Sequence, residues 1–134
     1  MNSSDAKAFL IATVKENASL TVLDPVTGEV VNAVTVGVPG TEVPHEFALT
    51  ADHTKALITL YGDADYGRNN PGHRVAVVDL VEMICTHHID LGLDRGPHAI
   101  ARDSAGLFWV TAEENNCLVA IDLRTDDIVR TIWT

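Results

Sequence analysis

Basic residues are scarce in this chain: nine Lys and Arg stand against nineteen Asp and Glu among 134 residues, a formal net charge of −10. Binding a nucleic-acid backbone requires a basic face, and no Lys/Arg cluster interrupts the acidic background, so nucleic acid is excluded as a partner class. The acidity is most simply a solubility property. Cysteine is nearly absent. Cys85 and Cys117 make neither a disulfide framework nor a metal motif, and each sits in an apolar run where a thiol acts as a small buried hydrophobe. Long hydrophobic runs are missing too. The apolar stretch Ala8 to Val14 is too short for a signal or a span, and no basic segment leads it. The expectation is a soluble chain without a membrane partner, cytoplasmic as written and exported only if a signal has been removed. Motifs for nucleophilic catalysis or phosphate binding are lacking as well: there is no Gly-x-Ser-x-Gly, no Cys-His pair with supporting spacing and no phosphate loop. Catalytic residues stay unassigned, and whether the chain is an enzyme stays open.

What is present is a repeat. The chain is 46% hydrophobic and 21% charged, a globular composition, and long enough for one domain with its own core. Shifted by 98 residues, "ATVKENASLTVLDPVTGEVV" (Ala12 to Val31) lies on "VTAEENNCLVAIDLRTDDIV" (Val110 to Val129) without a gap. Shifted by 55, Asp24 meets Asp79 and Gly37 meets Gly92. The second interval, Asp79 to Asp122, is 43 residues, the length of a four-stranded propeller blade. The surplus in the first falls in "GDADYGRNNPGH" (Gly62 to His73), whose Gly, Asn, Asp and Pro content reads as a loop.

Each unit carries short Val/Ile/Leu/Thr runs separated by turn clusters, without sustained 3.6-residue periodicity, so helices should be nearly absent. The runs "LTVLD", "VAVVDL" and "LVAIDL" are apolar on both faces, as sheets stacked face to face require. A two-layer sandwich is the structural alternative. If Pro44-His45 and Pro97-His98 head innermost strands, the second unit has strands at 45–50, 55–61, 74–80 and about 82–91. The third has them at 98–102, 107–112, 116–123 and 127–133. The first unit begins near Lys7 at its second strand. The expectation is therefore all-β: a partial β-propeller of about three blades and eleven antiparallel strands, the first blade lacking its innermost strand. The blades span about 6–37, 43–92 and 96–134. Rings need roughly four to eight blades, so either the sequence belongs to a longer propeller or copies associate through the open blade faces.

The order of Pro-His, apolar strand, turn, "VT" or "IT" strand and then V-x-V-x-D-L/P-x-T-G-x-V-V resembles the YVTN-type β-propeller repeat, grouped loosely with bacterial lactonase-like propellers. The resemblance covers nearly the whole chain. "DPVTGEVVNAVTVG" and "VPHEFALTADHTKALIT" follow the pattern closely, whereas "DLVEMI" lacks the Thr-Gly of the turn after Asp79. It implies the fold, while function must be argued from a site.

Three groups of residues are candidates. His45 and His98, at the heads of innermost strands, should face one rim of a shared channel, where two imidazoles could bind a ligand or a divalent metal. The structural alternative is that each imidazole hydrogen-bonds a backbone carbonyl of the adjacent blade. Without a third ligand the pair is no zinc motif, so no cofactor or metal ligand is assigned from sequence. The insertion offers Asp63, Asp65, Tyr66, Arg68 and His73 for a small-molecule or protein contact, and its oxygens lack the glycine and distal glutamate of a calcium loop. Asp24, Asp79 and Asp122 recur before a turn and should accept its N–H groups. His87-His88 reads as a solvated outer edge. The functional expectation is a scaffold or ligand/protein-binding module; the alternative is a lactonase-like hydrolase using His or a metal at the channel.

Overall fold

A computed structural model describes residues 8–63 and 69–134. The described residues form eleven strands in three antiparallel sheets, with no α-helix and one 3-10 turn at Glu113–Asn115. The first sheet holds β1 (Leu10–Val14), β2 (Ser19–Leu23) and β3 (Val30–Thr35). The second holds β4 (Val43–Leu49), β5 (Lys55–Gly62), β6 (Pro71–Asp79) and β7 (Ile84–Asp90). The third holds β8 (Pro97–Arg102), β9 (Phe108–Ala112), β10 (Cys117–Asp122) and β11 (Asp127–Trp133). Chain order equals spatial order in every sheet, so each is an up-and-down meander, or blade.

The middle blade shows why its central strands are apolar on both faces. Side chains alternate along a strand, so Leu57, Val75 and Val77 pack toward Phe108, Val110, Val119 and Ile121 of the third blade. Their neighbours Ala56, Ile58, Ala76 and Val78 pack toward Leu20 and Val36 of the first. Burying each of the larger aliphatics contributes about 1.5–3 kcal/mol.

The turns repeat as closely as the strands. Asp24 Oδ1 accepts the N–H groups of Val26 and Thr27 at 2.8 and 3.3 Å. Asp79 Oδ1 accepts those of Val81 and Glu82 at 2.8 and 3.0 Å, and Asp122 Oδ1 accepts that of Arg124 at 3.0 Å. Four residues after each aspartate the backbone is left-handed, at Gly28 (φ 75°), Met83 (φ 54°) and Asp126 (φ 62°). Loss of the glycine after Asp79 therefore leaves the turn conformation intact and places a methionine in it.

The insertion differs from expectation. It is not loop throughout: β5 continues to Gly62, β6 starts at Pro71, and these two residues pair. The strands cross closely enough that a Cβ on Gly72 would collide with the Leu60 carbonyl oxygen. Asp63 closes the hairpin, accepting the Asn70 N–H at 2.9 Å. Asp65, Tyr66 and Arg68 lie outside the described residues.

His87 and His88 are not merely a solvated edge, because both reach neighbouring blades. His88 Nε2 is 2.7 Å from the Val36 carbonyl oxygen, and His87 Nε2 is 3.0 Å from Asp126 Oδ2. Cys117 is buried as expected, while Cys85 is only partly so.

Candidate functional site

The two Pro-His segments are β-bulges. Along β4, Pro44 pairs with Leu60 and Phe47 with Ile58, so His45 and Glu46 together oppose the single residue Thr59. Along β8, Pro97 pairs with Ala112 and Ile100 with Val110, so His98 and Ala99 oppose Thr111. A bulge leaves ladder groups unpaired and re-aims side chains. Threonine supplies the missing bond in both places: Thr59 Oγ1 accepts the Glu46 N–H at 3.1 Å, and Thr111 Oγ1 accepts the Ala99 N–H at 2.9 Å. The same residue type staples blade to blade. Thr13 Oγ1 donates to the His45 carbonyl oxygen at 3.1 Å, and Thr59 Oγ1 donates to that of His98 at 2.8 Å. Backbone carbonyls of the histidines are thus the interblade acceptors, rather than their rings acting as donors.

The rings are thereby free to meet. The imidazoles of His45 and His98 stack with centroids 3.8 Å apart at 38°. Tyr61 flanks both, at 5.4 Å from His45 and 5.1 Å from His98. Its hydroxyl donates to Glu113 Oε2 at 2.6 Å, while Glu113 Oε1 lies 3.9 Å from His98 Nδ1. Glu46 Oε1 lies at the same distance from His45 Nδ1, which is buried and has no hydrogen-bond partner among the described residues. Burial holds the His45 pKa below the ordinary imidazole value, with the neighbouring His98 and Lys15 charges acting in the same direction. Glu46 and Glu113 oppose this without reversing it. His45, Glu46 and His98 each offer a ligand atom within 4.8 Å of the other two. The sequence supplied two of these and missed the third.

The other rim residues were missed because their signal lies in the repeat phase. Aligning the blades on Thr13, Thr59 and Thr111 puts Lys15, Tyr61 and Glu113 at one position, two residues after the threonine. They differ in type from blade to blade, whereas an architectural position would repeat. Of the insertion candidates, His73 sits on β6, with Nδ1 2.9 Å from Asp90 Oδ1 of β7, rather than with the imidazole pair. The hairpin base nevertheless communicates with the rim: Gly96 donates to the Gly72 carbonyl at 2.8 Å and accepts from the Glu113 N–H at 3.0 Å.

Among the described residues, hollows lie beside the blades. One, of about 620 Å³, runs beside the rim and is lined by His98, Thr111, Glu113 and Asn116 among others. Another, of about 410 Å³, lies among Asp52, Lys55, Arg102, Phe108 and Arg124. Its residues come chiefly from the β4–β5 and β8–β9 turns, at the far ends of the strands that His45 and His98 begin.

No family model matches the chain, and no curated protein does. Solved structures do. Hydrazine synthase from Kuenenia stuttgartiensis is similar at a TM-score of 0.74 and 19% identity, over 92% of this chain and 33% of that one. Virginiamycin B lyase from Staphylococcus aureus is similar at 0.73 and 14%, over 97% and 39%. The dihydro-heme d1 dehydrogenase NirN is similar at 0.72 and 12%, over 96% and 26%. This chain spans about a third of the length of such structures. At these identities the likeness concerns fold alone, and it agrees with the three meander sheets: the described chain is three blades of a β-propeller, the first with three strands.

Proposed function

We propose that the chain is a YVTN-type propeller segment acting as a binding module, with the rim formed by His45, Glu46, Tyr61, His98 and Glu113 as its ligand site. The observation that carries this reading is the stacked imidazole pair, whose His45 Nδ1 is buried and lacks a partner among the described residues. Buried polar atoms are normally satisfied, and one left without a partner is available to a ligand. The adjoining hollow of about 620 Å³ falls in the size range of small-molecule sites. Two carboxylates on a chain of net charge −10 disfavour an anion and favour a ligand that brings N–H donors or positive charge. Self-association through open blade faces belongs to the same reading, and sedimentation at the dimer mass is its expected outcome. Two free thiols fit a reducing compartment, the cytoplasm.

The test is a screen of small polar amines and amides followed by imidazole NMR. A ligand of this rim shifts the ring signals of both His45 and His98 and ceases to bind the His98→Ala protein. If every binder leaves both rings unshifted, the assignment fails. The hydrolase reading draws on the closeness of Glu46 and His45, 3.9 Å between Oε1 and Nδ1. It requires lactone turnover that disappears in Glu46→Gln.

A further inference from the structure

We propose that His45, Glu46 and His98 together bind one zinc-class divalent transition-metal ion. This inference rests on the rim being a ligand site and names the chemistry of its occupant. Two imidazoles and one carboxylate are a donor set suited to Zn²⁺ and its transition-metal neighbours, whereas Ca²⁺ and Mg²⁺ prefer an all-oxygen set.

The backbone explains how three such donors converge. On a regular strand His45 and Glu46, being adjacent, would project to opposite faces. The bulge opposite Thr59 suspends that alternation and brings their ligand atoms within 4.8 Å of each other and of His98. Tetrahedral zinc with bonds near 2.1 Å sets ligand atoms roughly 3.4 Å apart. Closing the difference requires side-chain rotation. Glu46 is free to supply it, since its side chain is 44% exposed. His45 and His98 approach from neighbouring blades whose backbones are stapled by threonine, and their rings must part from the 3.8 Å stack to admit an ion.

The bulge itself does not require a carboxylate. The equivalent bulge of the third blade carries Ala99 where the second carries Glu46, and it forms the same threonine bond. Glu46 is thus an addition to the repeat at the one place where two histidines meet. Glu113 acts from outside the donor set. With its Oε2 held by the Tyr61 hydroxyl, its Oε1 faces His98 Nδ1, the placement of an outer partner that orients a ligating ring. Among the described residues no other group of three His, Cys, Asp or Glu side chains meets in this way.

Isothermal titration of the chelator-treated chain with zinc chloride tests the proposal, with circular dichroism confirming that each variant is folded. One zinc per chain is expected. His98→Ala and Glu46→Gln should each weaken it by about tenfold or more. Glu46→Gln is the decisive variant, because its exposed side chain makes no contribution to the core. Cys85 Sγ stands 3.9 Å from His88 Nε2 and is the competing soft-ligand position, so Cys85→Ser must leave the affinity unchanged. Absence of zinc binding overturns the proposal, as does binding that survives Glu46→Gln or disappears in Cys85→Ser. If polar ligands shift the His45 and His98 rings while zinc does not bind, the metal falls and the rim site stands. If neither binds, both fall.

Discussion

The Thr59 hydroxyl lies 2.8 Å from the His98 carbonyl oxygen, and its own oxygen accepts the Glu46 N–H at 3.1 Å. One fully buried side chain therefore completes the bulge of its own blade and fastens the next. Thr59→Val keeps the shape and removes both bonds, leaving a partly buried donor and acceptor unpaired. The expected loss is about 1–3 kcal/mol in urea unfolding. The His98 ring signals should also move, since its backbone anchor is gone. A neutral effect on both would show that the bulge is held by packing alone.

Gly72 predicts a sharper penalty. A Cβ there would meet the Leu60 carbonyl oxygen and crowd the backbone of Tyr61 and Gly62. These are backbone atoms, which cannot rotate away. Gly72→Ala should therefore cost about 1–3 kcal/mol or more, with the pairing of Gly62 and Pro71 lost first. Amide exchange at Asp63, whose N–H donates to the Asn70 carbonyl at 3.1 Å, reports that loss directly. An unchanged exchange rate would mean that the strand crossing is looser than the structure shows.

Met83 allows a change in the opposite direction. It holds φ at 54°, where the equivalent position of the first blade has Gly28. A left-handed non-glycine residue costs roughly 1–2 kcal/mol, and glycine's extra unfolded-state freedom offsets part of that. Met83→Gly should raise stability by about 0.5–1 kcal/mol, seen as a higher thermal midpoint. A lower midpoint would mean that the half-exposed Met83 side chain contributes more by contact than its backbone costs.

The blades were legible in the sequence because their markers are local. Asp24, Asp79 and Asp122 bond to N–H groups within three residues, and a repeated local bond repeats in sequence. The doubly apolar third strands were legible for a related reason: alternation sends neighbouring residues to two interfaces, and both need hydrophobes. The convergence of His45 and His98 followed from blade phase. Glu46 did not, because its direction depends on a bulge, and a bulge is a property of pairing register between β4 and β5. Tyr61 and Glu113 were hidden for the same reason: each is an ordinary strand-end residue until two blades are placed side by side. His88 looked like a surface residue because its acceptor, the Val36 carbonyl, lies 52 positions away. Pairing across the insertion escaped a composition argument, since Gly62 and Gly72 carry turn chemistry but serve close approach.

The last prediction concerns pH and the turn between β4 and β5. Asp52 Oδ1 accepts the Thr50 hydroxyl at 2.7 Å, the Thr54 N–H at 3.0 Å and the Thr54 hydroxyl at 2.8 Å. The Thr50 bond, followed by those from Thr54, draws its carboxyl from the ordinary 3.8 down to about 2. A carboxylate whose pKa is lower in the folded state stabilises the fold above the unfolded value. That contribution fades as the pH falls through the folded value. Wild type should therefore exceed Asp52→Asn in stability by a constant margin between about pH 5 and 7. The margin should shrink below 3.8 and vanish beneath about 2. Carboxyl-carbon NMR should place the Asp52 midpoint near 2 in the intact chain. A midpoint near the ordinary 3.8 would mean that the threonine hydroxyls turn to water rather than to Asp52, and the pH-dependent margin should then be absent as well.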